Sequence, residues 1–198
     1  MMPYLRHLAL PLLCGCALLS GCAAPPLRLY TLGMPSDQNT QQQPPRLSAH
    51  ATTVQISRVV LPDYLDTQDI VIRNGEEIVR SPKSRWATRL SLGITDLITN
   101  EISLSHPTAL ITDQPLADTP TLRVQINISR FDVDTDGQAV LDVNWAIMPQ
   151  DPNQPLIRNR AHLTQTGPLT SDADMAALMR KLVITLADNV NASFPPHL

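Results

Sequence analysis

Residues 121–148, "TLRVQINISRFDVDTDGQAVLDVNWAIM", contain two runs of alternating apolar residues on either side of an aspartate-rich segment that ends in glycine. Alternation with a period of two is typical of strands that bury one face. The pair Asp136-Gly137 favours a tight turn between the two runs. The segment therefore predicts a long β-hairpin whose buried positions are Leu122, Val124, Ile126 and Ile128 before the turn and Val140, Leu141, Val143, Trp145 and Ile147 after it.

The same turn matches the first half of a calcium-binding loop. Asp132, Asp134, Asp136 and Gly137 stand at positions 1, 3, 5 and 6 of that pattern. The loop also needs a bidentate carboxylate at position 12 and helical flanks, but here Val143 holds position 12 and both flanks are strand-like. The pattern favours an acidic hairpin turn over a metal site.

Two segments have the three-and-four spacing of amphipathic helices. The first runs from about Arg85 to Leu104, with Ser84 or Ser81 as its cap and Pro107 beyond its end. The second runs from 172 to 194, with Ser171 or Asp172 as its cap. Two such helices can each cover a sheet with one apolar face.

Shorter strands are expected on both sides of the first helix. They are Leu27–Leu32, Thr53–Leu61 ending at Pro62, two strands around an Asn74-Gly75 hairpin turn, "TALIT" at 108–112, and Leu156–Thr166. Residues 33–50 have no periodicity and are expected to form an exposed loop or linker. The predicted fold class is α/β (α+β), a single-domain layer sandwich with a mixed β-sheet covered by two amphipathic helices.

Composition supports one folded domain and excludes one class of partner. The chain has 198 residues, of which 43% are hydrophobic and 17% charged. Its net charge is -3 and only 4% of residues are aromatic. Because its basic residues are scattered singly, a nucleic-acid partner is not expected.

The amino-terminal 21 residues are expected to be an export signal. Arg6 precedes the apolar run Leu8–Leu19, which is too short to cross a bilayer of roughly 30 Å. Leu19-Ser20-Gly21-Cys22 resembles the bacterial lipobox, whereas residues 13–16 are a poorer copy. The resemblance implies cleavage before Cys22, a diacylglycerol on its sulfur and an acyl chain on its amine. The alternative is an ordinary signal cut that leaves Cys22 as a free thiol.

The lipobox resemblance also bears on localisation and on the mature domain, 22–198. Ala23 rather than Asp follows the cysteine, which by similarity to Gram-negative sorting rules favours the outer membrane, with the body facing the periplasm. If Leu27–Leu32 is a strand, the tether reaches only about 15 Å. If it is not, residues 23–50 form a flexible tether of roughly 30 Å.

The chain contains no pattern that indicates catalysis or metal binding. Its five histidines, at 7, 50, 106, 162 and 197, have no metal-ligand spacing, and the lipobox leaves no thiol to partner them. Neither a Gly-x-Ser-x-Gly elbow nor a phosphate-cradling glycine loop occurs. We therefore expect neither an enzyme nor a metal site, although distant residues could still converge. Trp86 and Trp145 are expected in the core or at an interface.

The segment "LPDYLDTQDIVIRNG", residues 61–75, joins a strand to the first hairpin. Pro62, Asp63 and Asp66 can build a tight turn through side-chain bonds to the backbone, with Tyr64 and Leu65 packed beneath it. A structural role and a surface role both remain open for this turn.

Taken together, these pieces resemble the ABC-type transport auxiliary lipoproteins, a family that includes the outer-membrane lipoprotein of the Pqi system. The matching pieces occur in order and are Cys22, Tyr30-Thr31-Leu32, Pro62-Asp63-Tyr64-Leu65-Asp66 with Ile70-Val71, Trp86-Ala87 opening a helix, Phe131-Asp132, and the last helix. Thr88 and Arg89 depart from the acidic residue and proline that often follow Trp-Ala in the family, and the glutamine-rich loop is not a family feature.

The resemblance implies a mixed-sheet α/β fold and a role without catalysis. The protein would be a docking or receiving subunit that works with an ABC transporter and an MCE-domain protein to carry lipids between membranes. It would assemble as a homo-oligomer and carry no cofactor beyond the covalent lipid on Cys22. Its interface residues would come from the signature Pro62, Asp63, Tyr64, Leu65, Asp66, Ile70 and Trp86. Two other hypotheses are a carrier that holds a phospholipid in its own pocket and a cell-envelope hydrolase.

Overall fold

The computed structural model describes residues 26–33, 46–116 and 119–196. Cys22, the predicted signal peptide and most of the predicted loop at 33–50 lie outside these ranges. Within them, the predicted class is confirmed: the chain is an α+β protein with two helices. Its elements are β1 (Arg28–Tyr30), β2 (Thr53–Ile56), β3 (Asp69–Asn74), β4 (Glu77–Trp86), α1 (Leu90–Ser105), β5 (Leu110–Thr112), β6 (Leu122–Val133), β7 (Gln138–Pro149), β8 (Ile157–Thr166) and α2 (Asp172–Asn191).

The strands form two mixed sheets, whereas the sequence predicted one. The larger sheet has the order β5-β2-β6-β7-β8, and the smaller has the order β1-β4-β3. β2 runs parallel to β5 and β6, β1 runs parallel to β4, and the hairpin pairs are antiparallel. An alternating pattern indicates that a strand exists but does not specify its neighbour, which is why the division was missed.

The hairpin predicted at 121–148 is the centre of the larger sheet. Its ladder runs from Leu122 opposite Pro149 to Val133 opposite Ala139. Alternate residues of β6 from Leu122 to Ile128 are buried, and the residues between them are exposed. Both helices contribute to the same hydrophobic core as these strands. The sheet therefore has one covered, apolar face and one polar face.

A β-bulge at Ser129 changes which side chains of β6 face the core. The register shifts between Ile128 and Arg130, so one extra residue lies on β6. After the bulge, Phe131 and Val133 lie in the core and are fully buried. Asp132 lies between them and consequently points to the opposite face of the sheet, although it too is fully buried.

Helix α1 begins at Leu90, five residues later than predicted, and β4 continues through Trp86 instead. Residues 84–86 pair with β1, so they are held in an extended conformation. The Trp86 N–H donates to the Gln68 carbonyl at 2.7 Å, and the Ala87 N–H donates to the Tyr30 carbonyl at 2.7 Å. Neither predicted cap, Ser81 or Ser84, lies at the helix start. These long-range backbone bonds override the local helical pattern.

Helix α2 begins as predicted, with Ser171 as its N-cap. The Ser171 hydroxyl accepts from the Asp174 N–H at 3.3 Å. The Asp174 carboxylate in turn accepts bonds from the Thr170 hydroxyl at 2.6 Å and the Ser171 hydroxyl at 3.0 Å. These bonds lower the pKa of Asp174. The helix ends at Asn191 rather than at the predicted residue 194.

Other predicted boundaries shift by a few residues. β1 confirms a strand within 27–32, and β2 ends at Ile56 rather than at Leu61. The first hairpin is confirmed, but Asn74 pairs with Glu77, so the two loop residues are Gly75 and Glu76. In the described ranges, neither helix is both long enough and apolar enough to cross a bilayer.

Candidate functional site: the Tyr64 groove

The turn at 62–66 has an inward and an outward side. The N–H groups of Leu65 and Asp66 donate to the Pro62 carbonyl at 2.9 and 3.1 Å. Leu65 is buried in the core, whereas Asp63 is exposed and Tyr64 is 41% exposed. The turn is thus held from below by Leu65 as predicted, whereas Tyr64, predicted to pack beneath it too, lies at the surface.

Asp66 ties this turn to the first turn of α1. Its carboxylate accepts from the Ser91 N–H at 3.2 Å and lies 3.8 Å from the Arg89 guanidinium. Burial by itself would raise the pKa of Asp66, but the hydrogen bonds from Ser91 and the charges of Arg89 and Arg58 together lower it. An ionised carboxylate at a helix amino terminus also interacts favourably with the helix dipole.

The buried carboxylate of Asp132 holds two arginines beside Tyr64. It accepts from Arg73 Nε at 2.6 Å and from Arg130 Nε at 3.0 Å. Arg73 Nη2 also donates to the Tyr64 hydroxyl at 3.4 Å. The hydrogen bond to Asp132 raises the pKa of Arg73 despite partial burial. Since Arg73 is on β3 and Asp132 is on β6, this cluster links the two sheets.

An open groove of about 540 Å³ lies over this cluster, and we call it the Tyr64 groove. Its lining consists of Tyr64, Arg73, Gly75, Glu76, Ser129 and Arg130. Two guanidinium groups share one buried carboxylate, so unused N–H donors remain at the groove floor. Glu76 at the rim offsets part of the positive charge. Such a floor can bind a carboxylate of a partner protein through paired N–H donors.

The structure divides the predicted signature between surface and core. Ile70, Leu65 and Trp86 are 0%, 1% and 2% exposed, so they pack inside the domain. Pro62 and Asp66 are half-buried. Only Tyr64 among the seven lines the Tyr64 groove, and Asp63 is exposed next to it.

Sequence reasoning missed Arg73 and Arg130, which form the floor of the Tyr64 groove. Arg73 was detectable as a charged residue inside the apolar run "DIVIRN". Arg130 was not, because its position depends on the bulge at Ser129. The predicted pair Phe131-Asp132 contributes Asp132 to the cluster and Phe131 to the core.

The acidic turn is a hairpin turn, as predicted. Asp134 Oδ1 accepts from the N–H groups of Asp136 and Gln138 at 3.0 and 2.9 Å. Asp132 is bonded to Arg73 and Arg130 instead. The carboxylates at positions 1 and 3 of the calcium pattern therefore have separate partners. Across the described ranges, no cluster of three or more His, Cys, Asp or Glu side chains could hold a metal ion.

One row of side chains has the composition of a catalytic triad but not its order. His162 Nδ1 lies 2.5 Å from Asp142 Oδ1, and the Ser129 hydroxyl donates to the Asp142 carbonyl at 3.4 Å. Asp142 is on β7, between Ser129 on β6 and His162 on β8. A triad needs the histidine in the middle to accept the serine proton. This row therefore gives no support to the hydrolase hypothesis.

Comparison with solved structures shows the fold. The crystal structure of an uncharacterized protein has a TM-score of 0.68 and 18% identity, covering 85% of this chain and 98% of the other. A crystal structure of a Xanthomonas campestris protein assigned to DUF330 has a TM-score of 0.60 and 14% identity, covering 71% and 81%. No curated protein matches the chain.

The family model for the ABC-type transport auxiliary lipoprotein component matches residues 30–191. The match begins within β1 and ends with the last residue of α2, so it takes in both sheets and both helices. Because it spans most of the chain, this protein belongs to the family of ABC-type transport auxiliary lipoproteins.

Proposed function

We propose that this protein is an outer-membrane lipoprotein subunit of an ABC/MCE-type intermembrane lipid transport system. In this role it is a docking or receiving adaptor on the periplasmic face and contributes to envelope integrity. The observation that carries the proposal is the family match over residues 30–191.

The anchor of this subunit is the acylated Cys22, which bears a diacylglycerol and an N-acyl chain. Several acyl chains bind a bilayer far more strongly than one. Because β1 begins at Arg28, only five residues separate Cys22 from the folded body. Such a tether reaches roughly 15 Å, so the body stays close to the membrane, as a fixed docking subunit requires.

The docking surface is the Tyr64 groove. Tyr64 supplies exposed aromatic area, and Arg73 and Arg130 supply donors that are already oriented by Asp132. Aromatic and arginine side chains dominate the binding energy at protein interfaces. The partner is the MCE-domain protein, which presents a carboxylate to the groove floor.

Homo-oligomer formation is part of the same proposal. β1 is an edge strand of the smaller sheet; Leu29 on this strand and Leu27 just before it are 63% and 56% exposed. An exposed apolar edge strand can pair with another chain. A second copy of this protein covers that edge.

Co-purification from the cell envelope tests the docking role. We expect the full-length lipidated chain to retain an MCE-domain protein and Tyr64→Glu to retain at least tenfold less. Leu104→Glu is the matched control, because Leu104 is 63% exposed at the end of α1. Absence of any MCE-domain protein, or equal recovery with both variants, would contradict the proposal. Cys22→Ala should abolish incorporation of labelled palmitate, and retained label would exclude the anchor.

The alternative function is a carrier that holds a phospholipid itself. A partly apolar cleft of about 520 Å³ beside α2 favours it. Transfer of labelled phospholipid between two liposome populations by the full chain would support this function. Transfer no faster than the protein-free rate would contradict the carrier function and leave docking as the proposed function.

A further inference from the structure

A second cleft lies at the amino end of α2, and we call it the α2 cleft. Its volume is about 520 Å³, within the usual range of small-molecule sites. Arg28 and Lys83 supply its charged wall, and the half-buried Ile72 and Leu169 supply its apolar wall. Its two walls thus differ in chemistry.

The cations of the α2 cleft, Arg28 and Lys83, are unpaired in the part of the chain that the structure describes. Neither Arg28 nor Lys83 makes an ion pair or a side-chain hydrogen bond within the described residues. The one carboxylate in the lining, Asp172, already accepts from the Ser81 hydroxyl at 2.9 Å. Two positive charges therefore stand against one negative charge that is engaged elsewhere.

Two further polar features of the α2 cleft lack acceptors. Ser84 is 1% exposed and lines the cleft, and its hydroxyl has no hydrogen-bond partner among residues 26–33, 46–116 and 119–196. Burying an unpaired hydroxyl is unfavourable, so such groups usually mark a missing partner. The backbone N–H groups of Asp172 and Ala173, at the positive end of α2, also have no acceptor among the described residues. An anion that enters the cleft would supply these acceptors.

The apolar wall indicates that the anion is part of an amphiphile. A free inorganic anion gains nothing from Ile72 or Leu169, whereas ester and methylene groups attached to a phosphate would cover these half-buried side chains. We propose that the α2 cleft binds the phosphate group of a membrane glycerophospholipid, with its glycerol and first methylene groups along the apolar wall.

The source of this lipid is the membrane that anchors the chain, and in this respect the inference rests on the proposed function. Pro26 lines the α2 cleft and lies four residues after Cys22. Four residues span at most about 14 Å, so an acylated Cys22 keeps the cleft next to the headgroup layer. A lipid at this site would be either a surface contact or a cargo molecule in transfer.

Calorimetric titration of the full lipidated chain in a phosphate-free neutral detergent tests the site. The probes are dihexanoyl phosphatidylglycerol, dihexanoylglycerol without phosphate, and inorganic phosphate. We expect one phosphatidylglycerol per chain and at least tenfold weaker binding of the other two probes. The double variant Arg28→Glu with Lys83→Glu should bind phosphatidylglycerol at least tenfold more weakly, and Ser84→Ala several-fold more weakly.

The matched control is Arg158→Glu with Lys181→Glu, which makes the same charge change at exposed residues outside the α2 cleft. It should bind within twofold of the unmodified chain. Equal loss in both double variants, or no saturable binding, would overturn the inference. Inorganic phosphate binding as tightly as the lipid would identify a free-anion site instead, and dihexanoylglycerol binding as tightly would exclude phosphate recognition.

Two readouts keep this result interpretable. Circular dichroism of each variant checks folding, and Arg28→Gln with Lys83→Gln replaces the charge reversal if that variant does not fold. Co-purification of the MCE-domain protein should persist in the cleft variants. If a cleft variant loses lipid binding but still co-purifies with the MCE-domain protein, the α2 cleft is separate from the docking function. If a variant loses co-purification but still binds lipid, only the proposed docking function is contradicted.

Discussion

The two hairpins of this protein have similar sequence signals but different surroundings. At the β3–β4 turn, Gly75 has φ +61°, and a Cβ placed there would meet no atom within 4 Å. At the β6–β7 turn, Gly137 has φ +78°, and a Cβ there would lie 2.4 Å from the Gly167 carbonyl oxygen. The first turn is open to solvent, and the second is packed beneath the chain that follows β8.

The two hairpins accordingly differ in role: one builds the core, and the other supplies residues of the candidate sites. The β6–β7 hairpin carries the core of the larger sheet, so its positions are constrained by packing. The β3–β4 hairpin is exposed at its tip, residues 74–77, although Ile70 and Trp86 at its base are buried. It contributes residues to both candidate sites: Arg73 to the Tyr64 groove, and Lys83 and Ser84 to the α2 cleft. The hairpins meet where Arg73 binds Asp132. Substitutions can show how far the surface hairpin depends on the buried one.

The largest effect is expected where the hairpins meet. Asp132→Ala should lower the free energy of unfolding by about 3 kcal/mol, because it leaves Arg73 and Arg130 without their buried partner. Both guanidinium side chains keep some water contact, at 23% and 38% exposure, which limits the cost. Urea denaturation measures the change. Asp136→Ala, on an exposed residue of the same turn, should stay within about 0.5 kcal/mol, and equal losses would contradict a structural role for the cluster.

The two turn glycines test the comparison directly. Gly137→Ala should cost about 2–3 kcal/mol, since the left-handed backbone and the contact with Gly167 both oppose a Cβ. Gly75→Ala should cost about 1 kcal/mol, since only the backbone conformation opposes it. Thermal unfolding of both variants gives the ranking. A larger loss at Gly75 would show that the open turn is the more constrained one.

Acid should weaken the contacts by which Asp66 joins the turn at 62–66 to α1. The folded-state pKa of Asp66 is lowered, so its contribution is present above its unfolded value of 3.8 and is lost as pH falls through the folded value. Asp66→Asn should therefore destabilise by about 1 kcal/mol at pH 7 and by progressively less below pH 4. Unfolding of both proteins across this range measures the difference. Asp63→Asn is the control, and a difference that grows on acidification would have the wrong sign.

The smallest effect is expected at the unpaired cations of the surface hairpin and its neighbour. Arg28→Glu with Lys83→Glu should change the free energy of unfolding by less than about 0.5 kcal/mol, because neither side chain has a partner among the described residues. Thermal unfolding without lipid measures this. A loss of unfolding free energy comparable to that of Asp132→Ala would mean that Arg28 and Lys83 stabilise the fold. The proposed contrast between the paired arginines of the Tyr64 groove and the unpaired cations of the α2 cleft would then be wrong.

The correct and incorrect sequence predictions follow from how far apart the interacting residues are. Alternation at 121–148 and the Ser171 cap were predicted because each depends on residues a few positions apart. The start of α1 was predicted too early, because the bond from Trp86 to Gln68 and the ladder to β1 hold residues 84–86 extended.

The sequence by itself determined the class of the fold, the two helices, both hairpins, and a tight turn at 62–66 within a lipoprotein pattern. Periodicity and turn-forming residues act over a few positions, so these features need no knowledge of the rest of the chain. Only the tertiary structure decided the division into two sheets, the Arg73–Asp132 contact across 59 positions, and the joining of β1, β4 and α2 around one cleft. Those features depend on which strands pair and on one bulge, and pairing is set by the burial of the whole core rather than by any local pattern.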